Sequence, residues 1–347
     1  MISGKKTEKE YRDTIMDSSS SLKDFSLDRR KYHKKYVLAE RIEDEDSKAS
    51  VIGRIVETLL LEKDQFDNRF FMSSVASAPT GNMLLFVEAL YKHTRDNTGE
   101  DGEIKVDFDE IIKAAYKDSG YKWTLEKVLE KFTGSDAEIY YKEIREVRSK
   151  NLTVVTVDDV TNAEKTVEEL KTNPITADIV NKVDSDNYSV YNQLQIEGYS
   201  IMGMKLKSML DKVIVDHKKK EINIYDLKCV WAVENFYEEY YLYRRSYIQA
   251  YLYKKAVEYH FKELINSGYR VINPQFIVCD SINYYSPLIY TLDDTDMDDA
   301  FDGFTHRGRV YPGVGETILG LKWAKENDQW RISFKNFYKS GVTNIKG

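Results

Sequence analysis

Asp226 and Lys228 stand one residue apart in "INIYDLKC" (222–229), where Ile222, Ile224, Tyr225 and Leu227 favour a strand. Period-two alternation sets both side chains on one face of that strand. A second carboxylate, Asp211, lies near the end of "MKLKSMLDKV" (204–213). An antiparallel hairpin turning at residues 217–220 would lay Asp211 beside Asp226. Two carboxylates and an ammonium would then converge on one sheet edge. Unneutralised carboxylates in a partly buried site repel each other, so they share a proton or bind a cation. Oxygen ligands with neither His nor Cys beside them suit Mg²⁺ or Mn²⁺. An ammonium beside the reacting water can orient it, or stabilise charge on a phosphoryl oxygen. Such a set is suited to phosphodiester hydrolysis. The competing account is an Asp–Lys ion pair at a strand end with Asp211 unrelated to it. D-x-K is a short pattern, and the triad by itself leaves both accounts open.

The scaffold for such a set has to come from the rest of the chain. Its 347 residues suffice for one large domain or two ordinary ones, and 42% hydrophobic with 31% charged residues fits a soluble globular protein. No uncharged apolar run reaches the length of a membrane span, so no membrane association is expected. The start, "MISGKKTEKEYRD", has no apolar segment of the kind a signal peptide needs, which points to a cytoplasmic protein. Cys229 and Cys279 are expected as buried free thiols in a reducing compartment, with a single disulfide left open. Two cysteines cannot by themselves ligate an iron–sulfur cluster.

A net charge of −7 argues, on average, against a nucleic-acid partner. Local basic clusters run the other way: "LDRRKYHKKY" (27–36), "HKKK" (217–220) and Arg244–Arg245. Any one of them also fits a solvated helix face or turn. The acidic excess gathers in "RIEDEDSK" (41–48) and "TLDDTDMDDAFD" (291–302), expected as exposed loops or helix starts.

Residues 17–39 read as a capped helix pair, and 50–71 as a helix with an apolar stripe through Leu59–Leu61. Residues 81–182 are mostly of helical period and include a helix over 156–174 that Pro174 ends. The character then changes. Residues 188–230 read as three strands, with turns at Gly198 and at 217–220. A long amphipathic helix is expected over about 234–266, then a strand in "PQFIVCDS" (274–281).

The order of these segments resembles the PD-(D/E)xK nuclease superfamily, in its RecE/RecB-like and lambda-exonuclease-like branch. D…D-x-K on adjacent strands is that superfamily's mark. Gln249 and Tyr253 in "YIQAYLYKKA" look like the branch's Q-x-x-x-Y on the following helix, where a spacing of four puts both on one face. "SSSLKDFSLDRRKYHKKYV" (19–37) resembles the branch's N-terminal S-x-S-x-L segment. "VIGRIVETLLLEKDQFDNRF" (51–70) resembles its G-x-x-x-H-x-L-L-L-E segment, and "VEELKTNPITADIV" (167–180) the stretch before the first core strand. The likeness touches most of 17–260 and is weakest over 81–150 and beyond 285. Two departures stand out. Glu57 occupies the histidine place, and Leu210 replaces the proline before the first acid. A carboxylate suits Mg²⁺ at least as well as imidazole does, so Glu57 is taken as the replacement ligand, with Glu62 as its rival.

The resemblance implies an α/β, restriction-endonuclease-like core: a mixed central sheet flanked by helices, in a single domain over 1–347 with a helical insertion at about 75–185. It implies Asp211, Asp226, Glu57 and the Leu227 carbonyl as ligands of Mg²⁺ or Mn²⁺, and Lys228 acting on the water or the scissile phosphate. Gln249 and Tyr253 would order the site and touch the DNA backbone. Apart from the resemblance, Arg244 and Arg245 are candidate phosphate contacts, with surface ion pairs as the alternative, and Arg29, Arg30 and Lys34 are candidates if their basic segment folds near the site. The activity implied is a metal-dependent DNA exonuclease working on duplex ends in phage-type recombination or repair. Composition rich in Lys, Asn, Ile and Tyr and poor in Pro is compatible with an AT-rich phage genome. Expected partners are duplex DNA and, by the same resemblance, a single-strand annealing protein or further copies of the chain. An endonuclease on the same core and a catalytically idle DNA-binding or virion component are the alternatives.

Overall fold

The computed structural model describes residues 6–40, 48–99, 102–150, 152–283 and 285–342. Most of the acidic run at 41–48 lies outside the described residues. The chain forms two compact units, one from Met1–Ala49 with Glu168–Gly347 and the other from Ser50–Val167.

The first unit is mixed α/β, as expected: a central sheet of parallel and antiparallel strands with helices packed on it. Helix α1 (Ser19–Leu27) precedes the sheet's long strands in sequence. Strands β1 (Tyr188–Ile201), β2 (Met204–Asp216) and β3 (Glu221–Val230) form an antiparallel meander. Strand β4 (Gln275–Asp280) joins β3 in parallel, and β5 (Leu288–Thr291) pairs antiparallel with β4. Two-residue strands at Asp17–Ser18 and Arg270–Val271 pair in parallel with β2 and β3 respectively. Strand β2 has partners on both sides and is buried along nearly all its length, and its polar Lys207, Ser208, Asp211, Lys212 and Asp216 are buried with it, so each needs a partner.

The β1–β2 turn is Met202–Gly203, both at positive φ, as a two-residue hairpin with the favoured twist requires. The expected turn at Gly198 is therefore corrected. Gly198, at φ +83°, marks a register shift between Glu197 and Tyr199 inside the paired strands. The β2–β3 turn falls at 217–220 as expected, and Asp216 Oδ1 accepts the Lys219 N–H at 2.8 Å to tighten it.

The long helix expected over 234–266 is broken. A π-helical segment, Tyr237–Tyr243, ends at Arg244, and Arg245 takes the left-handed region at φ +57°. Helix α2 (Ser246–His260) starts afresh there. Its Tyr247, Ile248, Ala250, Leu252, Tyr253, Ala256 and Val257 are buried in the core shared with the sheet. Helices α3 (Asp294–Asp302) and α4 (Val314–Asn327) complete the first unit's larger elements, with the hairpin Gly303–His306/Arg309–Pro312 between them.

In the second unit, helices Gly81–Asp96, Phe108–Asp118, Leu125–Phe132 and Asp136–Val147 enclose a core of Phe86, Leu90, Ile111, Val128 and Ile144. The helix expected over 50–71 runs only from Lys48 to Leu61. Glu62 leaves helical geometry, Arg69 turns back to Glu62 at 2.6 Å and to the Thr58 hydroxyl at 3.1 Å, and Phe70–Met72 pairs in parallel with Thr153–Val155. Tertiary pairing overrides local helical period there. No helix among the described residues is long and apolar enough to cross a membrane.

Candidate active site

Ile222, Ile224 and Val230 are fully buried, and they share a strand face with Asp226 and Lys228. The acid and the base thus interrupt the apolar face of β3. Asp226 is 1% exposed, so its charge needs partners. The Lys228 ammonium closes on Asp226 Oδ2, and Gln249 Nε2 donates to Oδ1 at 2.7 Å. Gln249 comes from the first turn of α2, and Tyr253 follows one turn later on the same face. The same Nε2 donates to Tyr253 Oη at 2.8 Å, and Tyr253 Oη donates to the Met209 carbonyl at 2.7 Å. Burial, then the charges of Asp226 and Asp211, hold the Tyr253 phenol well above its usual pKa, so it stays a neutral donor.

Asp211 lies on β2, 9% exposed, and its Oδ2 accepts the Leu227 N–H at 2.7 Å. The last backbone pair of β2 and β3 on this side is Lys212 with Tyr225. Beyond it the carboxylate takes an N–H that the ladder no longer serves. A strand residue's N–H and C=O point to the same side, so the Leu227 carbonyl also faces β2.

Lys23, on α1, was not singled out from sequence. Its Nζ donates to Gln249 Oε1 at 3.1 Å. Burial, reinforced by Lys228, pushes its pKa down to about 8, against the opposing pull of Asp226. The only local hint is its place in the segment 19–37.

The structure therefore brings Asp211, Asp226, Leu227, Lys228, Gln249 and Tyr253 together. Gln249 and Tyr253 are buried, with their polar atoms turned to Asp226 and Met209. Arg244 is exposed, its guanidinium 4.5 Å from the Tyr240 ring centre, and Arg245 is half-buried at the start of α2. Arg29 is half-buried, 5.4 Å from the Phe25 ring centre, and burial holds its pKa down. Arg30 and Lys34 are exposed, and the neighbouring Lys31 and Lys35 lie 3.6 and 3.3 Å from Asp24. Glu57 belongs to the second unit, half-buried on Lys48–Leu61, and its rival Glu62 is held by Arg69. Cys229 and Cys279 are free thiols, paired across β3 and β4 with sulfurs 3.2 Å apart on the face of β3 opposite Asp226. Cys279 is buried as expected, whereas Cys229 is half-buried.

Among the described residues no group of three or more His, Cys, Asp or Glu side chains is placed to hold a metal ion. What Asp211, Asp226 and the Leu227 carbonyl supply is oxygen alone, with one carboxylate fixed by a backbone N–H and the other by an amide and an ammonium. That donor chemistry fits a hard divalent cation.

No family model matches this chain, and no curated protein matches it. Among solved structures, one described as "Putative exonuclease" from Eubacterium rectale aligns over 86% of this chain and 82% of its own, at 14% identity and a TM-score of 0.45.

Proposed function

We propose that this chain is a divalent-metal-dependent deoxyribonuclease that hydrolyses phosphodiester bonds, working as an exonuclease on duplex ends. One observation carries the reading. Asp211 and Asp226 are anchored on adjoining strands, with Lys228 on the second acid and every anchor a directed hydrogen bond or ion pair. Such pre-set charge is what electrostatic catalysis at phosphorus needs, because no reorganisation remains to be done as charge develops.

Mg²⁺ or Mn²⁺ would be held by Asp211, Asp226 and the Leu227 carbonyl. The ion would supply Lewis acidity and a lowered pKa for the reacting water. The protein's own groups do the rest. Gln249 fixes the angle of the Asp226 carboxylate, and Tyr253 fixes Gln249 by accepting its second N–H. Lys228 orients the attacking water or stabilises the charge gained by the phosphoryl oxygens. Water adds to phosphorus, and the P–O bond to the leaving nucleotide breaks. The exposed Arg30, Lys34 and Arg244 would position backbone phosphates without reading sequence.

The closeness of Lys228 to Asp226 also favours a second reading, a nuclease fold that binds DNA without cutting it, since an ion pair alone would explain the two residues. Labelled linear and covalently closed circular duplexes, incubated with Mg²⁺ or with EDTA, separate the readings. Mg²⁺-dependent loss of the linear form alone supports the exonuclease. Cutting of the circle supports an endonuclease on the same residues. Binding without cutting of either form supports the idle fold.

A further inference from the structure

Gln249 sits between groups of fixed polarity. An ammonium can only donate hydrogen bonds and a carboxylate can only accept them. Lys23 Nζ lies 3.1 Å from Gln249 Oε1, and Asp226 Oδ1 lies 2.7 Å from Gln249 Nε2. Tyr253 commits its one hydroxyl proton to the Met209 carbonyl, so towards Gln249 it acts as an acceptor, at 2.8 Å. All three neighbours demand the same orientation of the amide. Rotating it by half a turn would face Oε1 with the carboxylate and the NH₂ with the ammonium, which is repulsive at both ends. Among the described residues no other charged group is bonded to Oε1, so without Lys23 the amide could turn away from Asp226.

Resting on the nuclease reading, we infer that Lys23 is a positioning residue of the site: bonded to Gln249, it locks the amide that aims the Asp226 carboxylate. Its effect passes through Gln249, from helix α1 to the first turn of α2 and so to β3. A half-buried lysine there costs folding free energy, as its depressed pKa shows. A purely apolar contact between α1 and α2 would not incur that cost. Lys23 is also distinct from the exposed basic residues, since its ammonium is turned inward onto the amide rather than outward to solvent.

The test is a double-mutant cycle on the full chain. Cleavage rate at saturating linear duplex with Mg²⁺ and duplex affinity with Ca²⁺ are measured for wild type, Lys23→Met, Gln249→Leu and the double variant. Lys23→Arg serves as the conservative rescue, and Asp226→Asn as the control for the nuclease reading. Lys23→Met is expected to lower the rate roughly 10- to 100-fold, the usual loss when a group orienting a site residue is removed. Duplex affinity should stay near wild type. Lys23→Arg should recover most of the rate, because a guanidinium is likewise a pure donor. Adding Lys23→Met to Gln249→Leu should cost nothing more. Should Lys23→Met fail to melt cooperatively, Lys23→Gln replaces it under the same criteria, since a neutral amide can turn together with Gln249 and enforces neither orientation. A rate unchanged by loss of Lys23, losses that multiply in the double variant, or an arginine variant as slow as the methionine variant would each overturn the inference. Cleavage by Asp226→Asn at the wild-type rate would instead overturn the nuclease reading. An inactive Asp226→Asn beside a fully active Lys23→Met would overturn only the role of Lys23.

Discussion

Asp211 Oδ2 takes the Leu227 N–H at 2.7 Å, beyond the last backbone pair of β2 and β3. The acid thereby does a ladder bond's work and is tied to the strand that carries Asp226. Its oxygen as an acceptor and its charge as a prospective ligand can be separated by substitution.

Asp211→Asn keeps a carbonyl oxygen for the Leu227 N–H and removes the charge. Its melting temperature should stay near wild type while cleavage falls by orders of magnitude. Asp211→Ala should lose cleavage equally and melt lower, since a buried N–H left without an acceptor costs about 1–3 kcal/mol. Thermal melts beside a cleavage assay check both. Cleavage by Asp211→Asn near the wild-type rate would remove Asp211 from the chemistry.

Glu57 and Glu62 are told apart by what they hold. Glu62 is engaged by Arg69 at 2.6 Å within the second unit. Glu62→Gln should lower stability modestly and leave the cleavage rate nearly unchanged. Glu57→Gln should cost orders of magnitude in rate if the expectation drawn from its place in the sequence holds. Steady-state cleavage by the two variants at saturating Mg²⁺ is the measurement. The reverse ranking would transfer the role to Glu62.

The relation of Asp211 to Asp226 was legible because a β2–β3 turn at 217–220 fixes the register between them. Gln249 and Tyr253 were legible because a spacing of four is one helix face. Lys23 was not, because it meets Gln249 across 226 residues of sequence and no local period encodes that distance. The break before α2 was hidden for another reason. A left-handed arginine leaves no compositional trace, whereas a glycine or proline would have announced it. Gly198 misled in the opposite sense, its positive φ serving a register shift inside a strand pair and no turn. The end of the helix at Leu61 was lost because Phe70–Met72 finds its partner strand at Thr153–Val155, far along the chain.

Two lysines, Lys212 buried and Lys23 half-buried, give a stability signature with a definite sign. Burial pushes Lys23 and Lys212 down to about 8 from an ordinary 10.5, with Lys228 adding to the shift at Lys23. Between those values the unfolded chain holds protons that the folded chain has released. Stability from these groups therefore rises with pH across that window and is flat below it. Lys212 Nζ lies 3.3 Å from both the Lys182 carbonyl and Asn192 Oδ1. Relative to wild type, Lys212→Met should fare best at pH 7 and lose ground steadily from about pH 8 to 9.5. Melts in that range precede the tyrosines raised to about 12, such as Tyr225 and Tyr247, whose contribution is lost only above their ordinary value of 10.0. A difference between variant and wild type that does not change with pH would mean that Lys212 keeps an ordinary pKa.

Lys228 and the basic segment after α1 should fail in opposite ways. Lys228 closes on an acid that is 1% exposed, whereas Arg30 and Lys34 project into solvent. A group acting on charge that develops during the reaction contributes more to the transition state than to the bound complex, so its loss appears in the rate at saturating DNA. A phosphate-positioning charge contributes alike to both states, so its loss appears in affinity and in the salt dependence of binding. Lys228→Ala should lower the rate steeply, change duplex affinity in Ca²⁺ only modestly, and reduce thermal stability by leaving Asp226 with one charged partner fewer. Arg30→Ala with Lys34→Ala should weaken binding, make the salt dependence shallower, and leave the saturated rate within a few-fold of wild type. Binding isotherms at several salt concentrations and single-turnover cleavage distinguish the two patterns. If Lys228→Ala loses affinity in proportion to rate, the residue anchors DNA or serves only as the ion-pair partner of Asp226, and the strand's acid and base are explained by packing alone.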